Sequence, residues 1–452
     1  MKKRLKVLYV VPIEASIPGS DLGGVIPSSE QIMIGIRELG HEAVFVRLRN
    51  ARITTAYDTP SRAVYGPEQW VTGAGTGLPM HTVLGWQGPY LTTGDPTSLK
   101  EYIDLANSCD VVIWGALFGL KNKYAIEDTS WTKCFTEVKT PTVVMVRDGY
   151  MWERAAWSSQ VEPYISAWAT VHSQGFHLVE GLSRRRGLVF SPHDVSSVPV
   201  KTKPLSRRNR SLYMVQNFKA CKRSDRLVRA VSHMGDKGIS VVLAGNGIEL
   251  RYMQSVDKCK PAYRMNKRTD VDQPKSNMGK RIWDVAMSTE GFKYLGAQRE
   301  DERNKSMLTE GFHIDTSKSS PLGMFNRTFI EAAMQGQVTL TPKECISGVA
   351  PVDNIWCPGE HYLPIPQSCT PLQLAEAVDN HFSISNKTYA EIVSNVRAKL
   401  PMFDRSVCAK QLIDLALGNR PTCLLFKEKG VVNKNLVELG RSELIKVFGD
   451  VL

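Results

Sequence analysis

The sequence lacks long hydrophobic runs, paired cysteines and an acidic excess, and these absences exclude several classes of protein. No apolar run approaches the roughly 20 residues that a membrane-spanning helix needs. The apolar segment in the opening MKKRLKVLYVVPIEAS is too short for the core of a signal peptide. We therefore expect a protein of the cytoplasm, that of the host cell if the chain is phage-encoded, with no membrane partner.

Cysteines and aromatic residues are both sparse. The nine cysteines include no C-x-x-C pair, which excludes a zinc ribbon, and their odd number argues against a disulfide framework. We expect them to be reduced and structural, and we predict no metal requirement. Aromatic residues make up 8% of the chain and hydrophobic residues 42%, as in a soluble globular protein.

Positive charge is the feature present in excess. The chain has 57 Lys and Arg against 45 Asp and Glu, a net charge of +12. A polyanionic partner would favour such an excess, whereas an enzyme of small metabolites has no need of it. The charge is concentrated at 184–186, 201–210 and 251–281. A solvated loop explains any one cluster, and a nucleic-acid surface explains all three; the residues assigned to that surface are Arg184, Arg185, Arg186, Arg264, Lys267 and Arg268.

Short apolar runs alternate with segments of helical period, which is typical of parallel sheets covered by helices. The predicted fold is α/β, with two doubly wound Rossmann-like domains facing across a cleft. Strands are predicted at 6–11, 43–48, 110–115, 141–148, 169–173, 211–217, 240–245, 292–296, 312–317 and 337–342. Helices are predicted near 28–39, 224–234, 300–308, 325–335, 371–381, 387–399 and 404–417.

The domain boundaries follow from composition. Residues 1–195 are assigned to the first domain, 196–210 to a linker without periodicity, 211–420 to the second domain and 421–452 to a tail. The second domain contains a basic insertion at 255–290 with too few apolar residues for a core. We expect this insertion to be poorly ordered alone and to grip DNA phosphates.

The stretch GMFNRTFIEAAMQGQVTLTP at 323–342 places two charges on an apolar helix. Arg327 and Glu331 are four residues apart and share a helix face, as a salt bridge or as parts of a ligand site. The first turn of this helix, with Asn326, offers free N–H groups to an anion. Three other features suit a phosphate: Gly23 and Gly24 before the first helix, Lys222 after a strand, and a turn at Gly245.

The order of these motifs resembles a known family. GG before the first helix, ELGHEAVFV, a lysine after the first strand of the second domain, VVLAGNG, FKYLG and FIEAAMQGQVTLTP are similar to GT-B glycosyltransferases, in particular family 4. The resemblance spans about residues 5 to 415. Within the family, GGVIPSSEQ, GHE and SMLTEGFHIDTSKSS are most similar to the DNA α-glucosyltransferases of T-even bacteriophages.

The resemblance implies a role for individual residues. Glu331 matches the glutamate that accepts hydrogen bonds from the ribose of a nucleotide sugar, most simply a UDP-sugar. Lys222 matches the lysine that holds the donor diphosphate, and Gly23 and Gly24 match the loop beside the sugar phosphate. Asp148 falls where the family has a polar residue near the sugar and the acceptor.

Two positions depart from the family pattern. The glutamate found eight residues before the second glutamate is replaced by Gly323, and the arginine found five residues before the lysine is replaced by Asn217. The second loss leaves the diphosphate one charge short. Arg327, Lys219 or Arg223 are the residues that could replace it.

Three functions are consistent with the sequence. The first is a retaining transferase, acting as a monomer, that moves a sugar from a UDP-sugar to a hydroxyl of a modified pyrimidine in double-stranded DNA, with the base flipped out. The second is a cytoplasmic transferase with a saccharide or lipid-linked acceptor, although the insertion lacks the apolar residues of a membrane-binding helix. The third is a non-catalytic nucleic-acid-binding protein on the same scaffold, supported by Asn217 and Gly323.

Overall fold

The computed structural model divides the chain into two compact units, Met1–Ser196 with Pro401–Leu452, and Ser197–Leu400. No helix among the described residues is long and apolar enough to cross a membrane. The structure describes residues 3–12, 25–49, 90–92, 96–115, 132–146, 161–171, 185–197, 202–216, 223–245, 284–295, 298, 300–317, 327–343 and 356–419.

The first unit is built on a parallel sheet of seven strands in the order β3-β2-β1-β4-β5-β6-β7. The strands are β1 (Lys6–Pro12), β2 (Glu42–Arg49), β3 (Tyr90–Thr92), β4 (Val111–Trp114), β5 (Thr142–Val146), β6 (Ala167–Thr170) and β7 (Arg185–Leu188). Strands β4 and β5 are buried along their whole length. Continuous apolar strands of this kind are expected where helices cover both faces of a parallel sheet.

Three helices of this unit lie between its strands: α1 (Val25–Glu38), α2 (Pro96–Asn107) and α3 (Lys133–Thr136). Successive residues of β1 point to opposite faces, so that Tyr9 packs with α1 while Leu8 packs with the α2 side. The sheet therefore has one apolar core on each face.

The second unit contains a parallel sheet of six strands in the order β10-β9-β8-β11-β12-β13. Its strands are β8 (Asn209–Val215), β9 (Ser240–Ala244), β10 (Phe292–Tyr294), β11 (Glu310–Ile314), β12 (Val338–Pro342) and β13 (Leu363–Ile365). Its helices are α4 (Ser224–Gly235), α5 (Glu300–Thr309), α6 (Arg327–Met334), α7 (Pro371–His381) and α8 (Asn386–Lys399).

Both sheets reverse their strand order at one point, which is the signature of a doubly wound fold. In the first sheet β1 lies between β2 and β4, and in the second β8 lies between β9 and β11. The loops that follow the two strands at such a point diverge and leave a crevice at the carboxyl edge, where ligands of open α/β sheets bind. The predicted α/β class with two doubly wound domains is confirmed.

The last described helix, α9 (Arg405–Leu417), packs on the first sheet. This differs from the sequence-based assignment of residues 211–420 to the second domain. The apolar stripe of α9 completes the core formed by α1, β1 and β5. Gly35 allows the close approach, because a Cβ at this position would overlap the carbonyl oxygen of Arg405. Sequence periodicity identifies such a helix but not the sheet that it covers.

The expected linker and insertion also differ from the structure. Arg208, within the expected linker, is buried and donates hydrogen bonds to the carbonyl oxygens of Met307 at 2.7 Å and Gly336 at 2.8 Å. The end of the insertion forms a short helix at 284–288, in which Ala286 is buried. Buried residues in both segments pack them into the second unit. The rest of the insertion lies outside the described residues.

Several elements were not predicted from the sequence. Strand β3 and the first residues of α2 fall within the Gly-rich stretch 65–97, and β13 and α3 are short. Arg185 and Arg186, assigned to a basic surface, lie in the edge strand β7. Short or charged edge strands carry little apolar signal, because only part of their surface is buried.

Candidate functional site

The site is built around the switch point between β8 and β11 in the second unit. The hydroxyl of Thr316, just after β11, donates a hydrogen bond to the carbonyl oxygen of Arg223, at 2.8 Å. Arg223 precedes α4 and adopts a left-handed backbone conformation, φ 50° and ψ 33°. Because non-glycine residues rarely adopt this conformation, the bond across the switch point helps to hold a strained turn.

A buried acidic turn follows β11 at the same edge. Asp315 accepts hydrogen bonds from the backbone N–H of Ser317 at 2.9 Å and from its hydroxyl at 2.5 Å. The N–H of Asp315 in turn donates to the carbonyl oxygen of Leu340 on β12 at 2.9 Å. Asp315, Thr316 and Ser317 are all buried, so this polar turn is fixed by the protein itself.

The two charges noted on the helix near 325–335 form an ion pair on α6. The Nε atom of Arg327 donates to Oε1 of Glu331 at 3.0 Å. A second guanidinium, that of Arg303 on α5, places its Nε 3.6 Å from Oε2 of the same carboxylate. The exposed fractions of the Arg303, Glu331 and Arg327 side chains are 12%, 14% and 22%, so the triad is partly open to solvent.

A row of polar side chains crosses the sheet beside this triad. His313 on β11 is in register with Tyr213 on β8 and Thr339 on β12. The Nδ1 atom of His313 is 3.1 Å from the hydroxyl oxygen of Thr339. The hydroxyl of Tyr213 donates to Oε1 of Gln298 at 2.6 Å.

The environment of this row shifts the pKa of two groups. Burial lowers the pKa of His313 to about 4, and the carboxylates of Asp315 and Glu331 oppose this effect. Burial raises the pKa of Tyr213, an effect that Arg303 opposes and Glu331 reinforces. Both residues are therefore neutral near pH 7, and the formal charges of this region lie on the carboxylates and guanidinium groups.

Gly245, a predicted phosphate-binding position, directly follows β9. Its φ of 146° lies in a region that favours glycine, and its carbonyl oxygen accepts a hydrogen bond from the hydroxyl of Tyr294 at 3.2 Å. The chain therefore leaves the carboxyl end of β9 through a residue without a side chain.

Arg327 and Glu331 are the two predicted site residues that the described part of the chain brings together. Nine others lie outside the described residues: Gly23, Gly24, Asp148, Arg184, Lys222, Asn326, Arg264, Lys267 and Arg268. Lys222 is adjacent in sequence to Arg223, whose carbonyl oxygen is bound at the switch point. The side chains of Arg185 and Arg186 are not described.

Arg303 and Asp315 belong to the site and were not selected from the sequence. Arg303 lies in the polar helix segment EDERNKSMLT, where nothing distinguishes one charge from the next. Asp315 had a usable signal, because a polar residue directly after an apolar strand marks the carboxyl edge of a parallel sheet.

One group of potential metal ligands occurs among the described residues: Cys357, Glu360 and His361, whose ligand atoms lie within 4.8 Å of one another. The Nδ1 lone pair of His361 accepts a hydrogen bond from the N–H of Cys357 at 2.9 Å. A metal at Nδ1 would compete for that lone pair. The described contacts of these residues are those of a hydrogen-bonded turn before β13.

No protein-family model matches the sequence, and no curated protein matches it. Solved structures of the same architecture are GT-B glycosyltransferases, and the chain has the GT-B fold. A glycosyltransferase from Rickettsia africae ESF-5 is 13% identical, covering 92% of this chain and 98% of that chain with a TM-score of 0.58.

Two further solved structures share the fold over nearly the whole chain. An α-glucosyltransferase in complex with UDP and a 13-mer DNA containing an HMU base is 13% identical, covering 92% of this chain and 100% of that chain, with a TM-score of 0.60. The GtfA/B complex is 8% identical, covering 91% and 99%, with a TM-score of 0.54. At these identities the likeness is one of fold.

Proposed function

We propose that the protein is a retaining glycosyltransferase that moves a sugar from a UDP-sugar to the hydroxyl of a modified pyrimidine in DNA. The observation that carries this proposal is the Glu331 carboxylate, held by Arg303 and Arg327 beside the switch point of a GT-B domain. A carboxylate accepts hydrogen bonds and donates none, which suits the hydroxyls of a ribose.

Donor binding is assigned to the second unit. Gly245 directly follows β9, and α4 and α6 begin after β8 and β11, so all three lie at the carboxyl edge of this sheet. We place Lys222, which precedes Arg223 in the sequence, at the same edge. Lys222 contributes a point charge, and the first turn of α6 contributes the positive end of a helix dipole. Together these groups would stabilise a diphosphate leaving group without a metal.

The reaction needs no carboxylate nucleophile. The bond between the anomeric carbon and the diphosphate oxygen breaks while the acceptor hydroxyl oxygen bonds to the same face of that carbon. The hydroxyl proton passes to the departing diphosphate oxygen, so charge and atoms balance. Catalysis then rests on positioning and on stabilisation of the developing negative charge, and Asp148 is the polar residue that we place near the acceptor.

Two observations favour DNA as the acceptor. The net charge of +12 is concentrated in clusters that include Arg184 to Arg186 and Arg264 to Arg268. The α-glucosyltransferase that shares the fold was solved with UDP and DNA. We propose that basic residues bind phosphates and that the modified base is flipped out of the duplex.

UDP release with a panel of acceptors tests the proposal. The protein is incubated with UDP-glucose and other UDP-sugars, together with hydroxymethylated duplex DNA, plain duplex DNA, an oligosaccharide or no acceptor. Release that rises only with hydroxymethylated DNA supports the proposal. Release stimulated by the oligosaccharide instead assigns the protein to saccharide transfer, and DNA binding without any UDP binding or release identifies a non-catalytic protein.

A further inference from the structure

Guanidinium groups from two different helices contact the two carboxylate oxygens of Glu331. Arg327 lies on the same helix, four residues earlier, with its Nε 3.0 Å from Oε1. Arg303 comes from α5, with its Nε 3.6 Å from Oε2. Pairs of the first kind, four residues apart on one helix, stabilise an isolated helix only weakly. The second pair connects two helices.

Arg303 is linked to the central strand β8 through hydrogen bonds of Gln298. Its Nη1 donates to the carbonyl oxygen of Gln298 at 3.3 Å. The side-chain oxygen of Gln298 accepts a hydrogen bond from the hydroxyl of Tyr213 at 2.6 Å, and Tyr213 is fully buried on β8. A continuous chain of polar contacts therefore runs from β8, next to the switch point, through Gln298 and Arg303 to Glu331.

The long separation between Arg303 and Glu331 also matters. At 3.6 Å the Nε and Oε2 atoms form an ion pair but not a hydrogen bond. Arg303 therefore orients the carboxylate by charge while Arg327 makes the hydrogen bond to it. The two guanidinium groups therefore contact different oxygens of one carboxylate.

We propose that Arg303 is a positioning residue of the donor site, holding the Glu331 carboxylate in the orientation that accepts the hydroxyls of a donor ribose. This inference rests on the proposed function, because it assumes a nucleoside diphosphate as ligand. The sequence motif around Glu331 does not contain Arg303, which reaches the site only through the packing of α5 against α6.

The test compares UDP with 2′,3′-dideoxy-UDP, which keeps the base and the diphosphate and lacks both ribose hydroxyls. Calorimetry gives the two dissociation constants for the wild type, Arg303→Gln, Glu331→Gln and the double variant. Arg229→Gln on α4 is the matched control, because Arg229 makes a similarly long ion pair, 3.8 Å from Asp225. Thermal unfolding of each variant verifies that it folds.

The wild type should prefer UDP by about tenfold or more, as expected when a charged acceptor loses its hydroxyl partners. In Arg303→Gln the preference should fall to about threefold or less, and the change should have no further effect once Glu331 is Gln. Arg229→Gln should keep the wild-type preference.

Two results would overturn the inference. An unchanged preference in a folded Arg303→Gln variant would show that Arg303 does not set the orientation of Glu331. A loss that is equal for UDP and for dideoxy-UDP would assign Arg303 to general stability or to the diphosphate. A wild type that binds neither nucleotide would instead refute the proposed function, so the two failures are distinguishable.

Discussion

At the scale of single residues, Glu331 combines a structural role with a proposed binding role. It is paired with Arg327 and Arg303, so its removal leaves two guanidinium groups without this partner. The position of Glu331 at a switch point, and not its pairing, is what indicates a ligand.

Glu331→Gln keeps the shape of the side chain and removes its charge. If Glu331 binds ribose, the variant loses charge-assisted hydrogen bonds worth about 1.5 to 3 kcal/mol, which weakens UDP binding about tenfold to a hundredfold. Calorimetric titration with UDP measures this effect. Near-normal affinity would show that Glu331 forms a structural salt bridge and does not bind the ribose.

His313 predicts a pH dependence of stability. Its pKa in the folded protein, about 4, lies below the value of about 6.5 for an unfolded histidine. The unfolded chain therefore binds a proton first as the pH falls. The contribution of neutral His313 to stability is complete above pH 6.5 and is lost between pH 6.5 and about 4, by about 3 kcal/mol.

His313→Gln removes this titration. Urea unfolding of the wild type and the variant at several pH values should show that the wild type loses stability more steeply between pH 6.5 and about 4. At pH 7.5 His313 is neutral in both the folded and the unfolded state. The difference between the two free energies of unfolding at this pH therefore measures the effect of the substitution on packing alone. Parallel curves over the whole range would contradict the shift.

At the scale of elements, the packing of α9 against α1 defines the first unit. Gly35 on α1 faces the backbone of Arg405, and Arg405 forms ion pairs with Glu38 on α1 and, at 2.9 Å, with Asp194. The chain thus returns to its first sheet after completing the second. The last described helix is part of the core of the first unit.

Gly35→Ala tests this close approach, because here we expect the substitution to lower the stability that it usually raises in a helix. In an exposed helix, replacing Gly by Ala stabilises by about 0.5 to 1 kcal/mol. At Gly35 the added methyl group overlaps the carbonyl oxygen of Arg405, so we expect a loss of about 1 to 3 kcal/mol in denaturant unfolding. The exposed Arg37, changed to Ala, is the control and should alter stability little. A stabilised Gly35→Ala variant would rule out this packing.

The elements also show what sequence patterns can and cannot predict. The predicted helices at 224–234 and 371–381 agree with α4 and α7 to within a residue, because their apolar period is local. A capping box of Thr370 and Gln373 also marks the start of α7. The sheet partner of α9 and the contact of Arg303 with Glu331 depend on packing between distant segments. Periodicity contains no information about such pairings, so the ion pair within α6 was predicted and its third member was not.

At the scale of the whole molecule, the charge of +12 predicts the behaviour of the protein on DNA. Binding through phosphate contacts releases counterions, so the logarithm of affinity should fall linearly with the logarithm of salt concentration, with a slope of about −0.9 per phosphate neutralised. Fluorescence anisotropy with a labelled duplex at several salt concentrations measures the slope. A flat response would exclude the proposed DNA surface and leave saccharide transfer as the function.

The mass of the product tests most directly whether the protein transfers a sugar to DNA. Hydroxymethylated duplex DNA is incubated with the protein and a UDP-sugar, digested to nucleosides and analysed by mass spectrometry beside plain DNA. We predict that the hydroxymethylated nucleoside alone gains the mass of one sugar residue, and that Glu331→Gln reduces its yield. Unmodified nucleosides from every DNA tested, with UDP-sugars that the protein demonstrably binds, would contradict transfer to DNA.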